Sequence, residues 1–423
     1  MKFFYRLALL SLLLGSFAPP LARAGASADW PAWRGPTRDG QAAADQNAPV
    51  KWSETENVLW RASVRGKGHG SPTVAGERVY LATADSATSE QLVIAFDRST
   101  GRQLWQTVVH RGPLESGNHK NSSAASASVV CDGDRLYINF LHGQAIHTTA
   151  LDPAGKILWQ TRVADYQVHQ GFGASAVVHE NVVIVAADNR AGGRVAGLDR
   201  ATGKIIWSQA RPKIPNYASP AIFTIGGRVQ AVLAGCNLVV SFDPLTGQKL
   251  WETAGSTEET VVTAASDGRR VFISGGYPRN HVAAVAADGS GQVVWQSPAR
   301  LYVPSLLVRD GHLFGVLDAG TAFCWRADTG AEVWREKVDK DFYASPIMAG
   351  DRVYATSLRG VTSVFEATPQ HFKLLAQNQL GDEAFASPAI CGGRVYLRHA
   401  KKGEPREEFL WCVGVPAGGI PAR

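Results

Sequence analysis

The chain is 423 residues long, with 43 Lys and Arg against 37 Asp and Glu and a formal net charge of +6. It carries no run of basic residues interleaved with aromatics of the kind that tracks a phosphate backbone, so nucleic acid is not an expected partner; the short Lys401-Lys402 pair reads as a solvated loop. Nearly half the residues are hydrophobic, and they are dispersed in short runs, which supplies a sizeable core without a membrane span.

Residues 1–24 read as a secretory signal peptide. Lys2 and Arg6 precede an apolar stretch from Leu7 to Phe17 that is too short to cross a bilayer comfortably, and Ala22-Arg-Ala24 offers the small residues of a cleavage site. No Cys follows the apolar stretch, so a lipid anchor is not expected there, and the mature chain is expected to be exported to a periplasm or secreted. Loss of Lys2, Arg6 and Arg23 takes the formal charge to +3, a bland surface. Residues 25–57 read as a strap and linker. Trp30-Pro-Ala-Trp-Arg-Gly-Pro36 cannot stay in regular structure for long and is expected to lie over the body of the fold, covering apolar surface or docking a partner; Gln41 to Pro49 reads as a flexible joint.

From residue 58 to 414 the chain repeats itself. Trp105, Trp159, Trp207, Trp251, Trp295 and Trp334 recur at spacings of 54, 48, 44, 44 and 39 residues, the period of one four-stranded propeller blade. Each follows a turn such as Asp97-Arg-Ser-Thr-Gly101, Asp199-Arg-Ala-Thr-Gly203 or Asp243-Pro-Leu-Thr-Gly247, where Asp can accept turn amides and Gly takes the positive φ that closes a hairpin. The indole offers a flat surface to a neighbouring blade and an N–H for a polar partner. A second signal opens each unit. Ser71, Ser219, Ser345 and Ser387 precede Pro, and Ser128, Ser175, Thr263 and Ser305 repeat the pattern more weakly, each leading into alternating apolar runs.

Eight such starts predict an all-β, eight-bladed β-propeller of four-stranded antiparallel blades. The eighth unit, from Ser387 to about Gly414, ends before a Trp, whereas Val58-Leu-Trp60-Arg-Ala-Ser-Val64 is a Trp-bearing strand with no blade of its own. The N-terminal strand is therefore expected to close the last blade, with Trp60 as its docking indole, so that no sheet edge is left open at the seam. The seventh unit is degenerate, with Glu366 near the Asp position and Leu374 where Trp is expected. Residues 415–423 read as a C-terminal tail, and the molecule as a monomer.

Five Cys residues, at 131, 236, 324, 391 and 412, form no adjacent pair and no C-x-x-C. Cys324 and Cys412 share the register of Ala95, which marks them as small fillers of a strand. Cys391 with Cys412 is the one candidate disulfide.

The pattern Ala95-x-Asp97-x-x-Thr-Gly101-x-x-x-Trp105 resembles the tryptophan-docking repeat of quinoprotein alcohol dehydrogenases and of the BamB propellers, over nearly the whole of residues 58–414. Trp30-Pro-Ala-Trp-Arg-Gly-Pro36, Gly275-Gly-Tyr-Pro278 and the stretch from Leu375 to Ala389 are similar to exported PQQ-like repeat proteins of the planctomycete type. In the dehydrogenases the resemblance implies a quinone clamped by adjacent half-cystines over a floor Trp, with a calcium ion held by Glu, Asn and Asp. This sequence has no Cys-Cys pair and no such cluster at calcium-ligand spacing, so neither PQQ with calcium nor another cofactor or metal is expected, and no catalytic residue is assigned. The expectation is a non-catalytic binding or scaffold module for a protein, a peptide or a small polar ligand. A PQQ-dependent oxidoreductase of alcohols or sugars, or a carbohydrate-active enzyme, is the alternative.

The loops ahead of each inner strand are expected to converge on an axial funnel. They bring His69, His119, Lys120, Asn121, His169, Gln170, Tyr217, Glu258, Glu259, Tyr302, Tyr343 and Phe385, and a few polar groups over an aromatic lining suit a small polar ligand or peptide. The same His residues can equally bond turn carbonyls and the aromatics can cap blades. Glu258 and Glu259 point to opposite faces of an extended chain, so at most one enters the funnel.

Overall fold

A computed structural model of the protein describes residues 29–43, 46–117 and 119–416; the leader and the last residues of the tail lie outside this range. Eight four-stranded antiparallel sheets follow one another around a ring, and no α-helix occurs among the described residues. Blade 1 comprises Thr73–Ala75, Arg78–Asp85, Glu90–Asp97 and Gln103–Arg111, in that order from the axis outward. Blades 2 to 7 repeat the arrangement in residues 130–165, 177–210, 221–254, 265–297, 307–337 and 347–379. In blade 8 the three strands of residues 389–413 are joined by Val58–Val64, which pairs antiparallel with Glu407–Val413 and sets Trp60 opposite Cys412. The ring therefore closes through hydrogen bonds between the two ends of the chain.

The core lies between successive sheets, and the docking indoles sit in these joints. Trp60 donates its Nε1–H to the Arg98 carbonyl (3.1 Å), Trp105 to Pro153 (3.1 Å), Trp159 to Arg200 (3.1 Å), Trp207 to Pro244 (3.2 Å), Trp295 to Ala327 (2.9 Å) and Trp334 to Thr368 (2.8 Å). Each acceptor belongs to the turn of the next blade. Turn glycines are required beneath the rings. A Cβ on Gly203, at φ +73°, would come within 2.5 Å of Trp159. Within its own blade each Trp faces a small residue of the third strand: Ala95, Ala150, Gly197, Ala284, Cys324 and Cys412 lie opposite Trp105, Trp159, Trp207, Trp295, Trp334 and Trp60. The second strand adds an aromatic, as where Tyr80 packs at 6.0 Å on Trp105 and Tyr396 at 6.1 Å on Trp60.

Two joints depart from the repeat. Trp251 turns its N–H back to the buried Gln230 Oε1 of its own blade (2.8 Å), and Thr253 takes the place over Gly291. In blade 7 the position opposite Val364 holds Ala376, while Leu374 pairs with Phe365 two residues earlier. The turn from Glu366 to Lys373 is two residues longer than that from Asp97 to Arg102, so the docking slot falls at Ala376 and not at Leu374, which is left exposed. The strap fills this gap. Trp52 stacks on Tyr354, the blade 7 counterpart of Tyr80, at 6.3 Å and 9°, and its amide donates to Asn378 Oδ1 (2.9 Å).

The rest of the strap closes one end of the ring. Trp30 bridges to Val74 of blade 1, the Cys131 amide of blade 2 donates to Pro31, Arg38 reaches the Val178 carbonyl of blade 3, and Gln41 that of Val308 in blade 6. The buried Arg34 guanidinium donates to the carbonyls of Leu306, Pro346 and Asp39. The described residues of the stretch that reads as a flexible joint are anchored too. Ala42 and Gly40 exchange backbone bonds with Met348, Gln46 accepts from the Gly393 amide, and Ala48 is buried with its carbonyl on the Tyr354 hydroxyl. Of its polar side chains, Gln41 bonds backbone of blade 6 and Gln46 backbone of blade 8.

All five Cys are free and buried. Cys391 and Cys412 lie on the first and third strands of blade 8 with Arg394–Lys401 between them. Two inter-strand spacings of about 4.8 Å exceed the Cα separation of roughly 4.4–6.8 Å that a disulfide bridges, so the pairing considered from sequence is not made.

Replacing Trp52 with Ala empties the blade 7 joint and should lower unfolding stability by about 3–5 kcal/mol, the range for losing a buried large aromatic. Ile157→Ala on an exposed outer strand should change it by less than about 0.5 kcal/mol. Denaturant titration of both variants checks this.

Candidate functional site

The first strand of every blade begins two residues after a Ser or Thr, and these residues form a ring around the axis. The amide of Ser71 donates to the Ser128 hydroxyl, Ser128 to Ser175, and Ser175 to Ser219; Thr263 donates to Ser305, Ser305 to Ser345, Ser345 to Ser387, and Ser387 back to Ser71, at 2.8–3.2 Å. Only the step from Ser219 to Thr263 is missing. There the Thr263 hydroxyl accepts instead from the indole of Trp33, at 2.8 Å. A weak sequence signal thus has a strict geometric cause: a side chain with a short hydroxyl arm is needed to hold the adjacent blade's backbone.

Above this ring lies a cavity of about 350 Å³, floored by Trp33 and the hydroxyls and walled by loops from around the ring. His69, His119, Asn121, Gln170, Tyr217, Tyr302, Tyr343 and Phe385 all line it. On one side His69 stacks on Phe385 (4.1 Å, 21°), Tyr343 leans on the same ring (5.9 Å), and Asn121 donates to the Tyr343 hydroxyl (3.2 Å). On the other stand Phe172, Tyr217 and Tyr302. Phe172, Arg300 and Asp318 were not singled out from sequence, and Trp33 was expected as part of the strap, not as a wall of the cavity. The run Ser122-Ser-Ala-Ala-Ser126 was a readable sign of a close-packed polar loop, but nothing in the pattern marks Arg300 or Asp318.

Four expected residues, Lys120, His169, Glu258 and Glu259, do not line the cavity. Lys120 sits exposed on the turn that His119 caps through its Nδ1. His169 is drawn aside to Glu259 Oε1 (3.3 Å) and to the Arg190 guanidinium (3.0 Å). Glu258 faces away, and it is Glu259 that is buried, accepting from the Tyr302 hydroxyl at 3.3 Å. Consecutive residues of extended chain alternate faces, which is why only one of the two turns inward. His69, His119 and His169 thus do not converge, and among the described residues no group of His, Cys, Asp and Glu is arranged to hold a metal ion.

The electrostatics of the wall are close to neutral. Burial, reinforced by Lys67, Arg398 and Arg406, holds the His69 imidazole well below its usual pKa and so uncharged. Burial raises Glu259 and Asp318 above the ordinary carboxyl range, and it raises the phenols of Tyr217 and Tyr302 as well. Asp318 is the one carboxylate lining the cavity; it accepts from the Tyr302 amide (2.9 Å) and pairs with Arg300 (3.2 Å). These residues do not fit a quinone cofactor with calcium. The carboxylate is already satisfied, no half-cystine stands at the wall, and a tricarboxylate would meet one cation that is itself paired.

Another histidine cluster, not singled out from sequence, lies outside the cavity. His110 of blade 1 stacks on His142 of blade 2 at 4.5 Å and meets His147 edge-on at 5.1 Å. Burial first, and then the two neighbouring imidazoles, lower the His110 pKa to about 3.

A profile built on the family described as "Outer membrane protein assembly factor BamB" matches residues 40–170, 89–334 and 278–371. The chain belongs to this family. It is 27% identical to BamB of Bordetella pertussis (strain Tohama I) over 354 residues, covering 78% of this chain and 81% of the relative. It is 25% identical to BamB of Yersinia pestis over 367 residues, covering 73% and 88%. Among solved structures, BamB from Moraxella catarrhalis superposes with a TM-score of 0.60 at 15% identity, covering 85% of this chain and 98% of that one. Quinohemoprotein alcohol dehydrogenase from Comamonas testosteroni gives 0.65 at 14%, covering 95% and 83%. Identities this low show the shared propeller fold alone. No helix of the described residues is long and apolar enough to cross a membrane.

His110 and His399, the latter lowered to about 4 by burial, have native pKa values below that of a free imidazole near 6.5. The unfolded chain therefore binds more protons below pH 6.5, and the stability these two groups contribute is complete above that value and falls as pH drops toward 3–4. Urea titrations from pH 7 to pH 4 should show this loss, and His110→Gln should flatten the slope.

Proposed function

We propose that the protein is a non-catalytic, exported propeller that serves as a binding scaffold in outer-membrane protein assembly, gripping a polypeptide at the mouth of the axial funnel. The observation that carries this reading is the funnel itself. Its floor is stopped by the strap and the hydroxyl ring, and its mouth presents aromatic and amide groups, Tyr343, Phe385, Asn121 and Gln170, on loops held by a rigid ring. Aromatic faces beside uncharged hydrogen-bonding groups suit main-chain amides and apolar side chains of an extended segment. Family membership supplies the process in which such a grip is useful, and the reading of residues 1–24 as a leader supplies the compartment.

A photoreactive residue placed at Tyr343 in the native host should form cross-links to components or substrates of outer-membrane assembly, whereas one at Val294, exposed on an outer strand, should not. Equal cross-linking from both positions would argue against the funnel as the docking site. Incubation with PQQ and calcium should leave the visible spectrum and melting temperature of the purified protein unchanged; a chromophore, or dye-linked oxidation of an alcohol, would reverse this reading in favour of a quinoprotein.

A further inference from the structure

We infer that the cavity beneath the funnel mouth is a binding site for a neutral carbohydrate, of about one or two pyranose rings, held between the hydroxyl ring and the aromatic walls. The inference rests on the functional reading above only in placing ligand recognition on the axis, and it names the ligand class of the inner part of that site.

The first argument is the hydroxyl ring. Ser71, Ser128, Ser175, Ser219, Ser345 and Ser387 line the cavity and are buried, and each oxygen accepts one backbone N–H, Ser219 from Ser175 included. Among the described residues, none of these hydroxyls donates its own hydrogen to a protein atom. A buried donor without an acceptor is costly, so the ring calls for acceptors on the axis, arranged around a perimeter and not gathered at one point.

The second argument is what the wall leaves unmatched. His69 Nε2 is buried there without a hydrogen-bond partner, and the buried Tyr217 hydroxyl, beside the Gln170 backbone amide, donates to no protein atom among the described residues. A neutral imidazole nitrogen accepts or donates according to its tautomer, and a phenol donates. A ligand that satisfies both kinds of group at many positions is one whose polar atoms are themselves hydroxyls. Phosphate and carboxylate ligands only accept.

Shape and charge point the same way. Phe385 with His69 and Tyr343 on one side, and Phe172, Tyr217 and Tyr302 on the other, provide flat apolar faces that match the C–H faces of a sugar ring. The charged groups lining the space are Arg300 and Asp318, paired with each other, so no net charge selects an ion. The volume of about 350 Å³ lies at the lower end of the roughly 300–1,000 Å³ typical of small-molecule sites.

The test is calorimetric titration of the full-length mature protein with glucose, maltose, cellobiose and N,N′-diacetylchitobiose at millimolar concentrations. The expected result is saturable binding of at least one of these, weakened about tenfold by Tyr343→Ala, which corresponds to about 1.4 kcal/mol, and weakened also by the isosteric Tyr217→Phe. Ile157→Ala on the outer strand should leave it unchanged. Both cavity variants are checked for an unaltered melting temperature, so that a folding defect is not read as lost affinity. Absence of saturable binding by all four sugars, or binding indifferent to both cavity variants, overturns the proposal. Neither result bears on cross-linking from the mouth, so failure of the sugar site and failure of the scaffold reading remain distinguishable.

Discussion

One contact recurs at the joints of this molecule: an indole laid over the next blade's turn, with its N–H on a turn carbonyl. A four-stranded antiparallel sheet cannot bury both faces alone, and a ring of wedges is stable only if each wedge is fixed to its neighbour. The Trp does this by combining apolar area with one directed hydrogen bond, which a purely aliphatic residue could not supply. The small residue opposite it and the glycine beneath it follow from the size of the ring, and they account for two otherwise scattered features of the repeat, the strand cysteines 324 and 412 and the turn glycines.

The inner surface is organised by a different bond. Amide-to-hydroxyl contacts link the blades next to the axis as the indoles link them further out. Where the hydroxyl chain breaks, between Ser219 and Thr263, and where the indole is absent, in blade 7, the same N-terminal segment makes good the loss with Trp33 and Trp52. The strap is thereby part of the ring's bonding. It also turns an open channel into a blind cavity, and that gives the axis a floor against which a ligand can be held.

Much of this was legible in the residues. The blade number came from counting Ser and Thr starts, and the closure of blade 8 by Trp60 came from a strand without a blade and a blade without a strand. Register inside a turn was less legible: two extra residues between Glu366 and Lys373 moved the docking slot from Leu374 to Ala376, and the sequence does not show which residues of a loop are extruded. The funnel was found for eight residues because a loop preceding an inner strand must lie near the axis. It was missed for Lys120, His169, Glu258 and Glu259, because a loop's position does not fix the direction of its side chains.

Local chemistry by itself determined the all-β repeat, the hairpin turns and the docking indoles, since each is set by residues within a dozen positions of one another. Only the tertiary structure decided that Ala42, Gln46 and Ala48 are bonded to blades 7 and 8, that Cys391 and Cys412 stand a strand apart, and that His110, His142 and His147 meet. These depend on contacts between segments far apart in the chain or on strand order within one sheet, and no local pattern encodes the distance across a strand or a joint. The floor of the cavity is the clearest instance: Trp33 and Thr263, 230 residues apart, meet because the ring has closed.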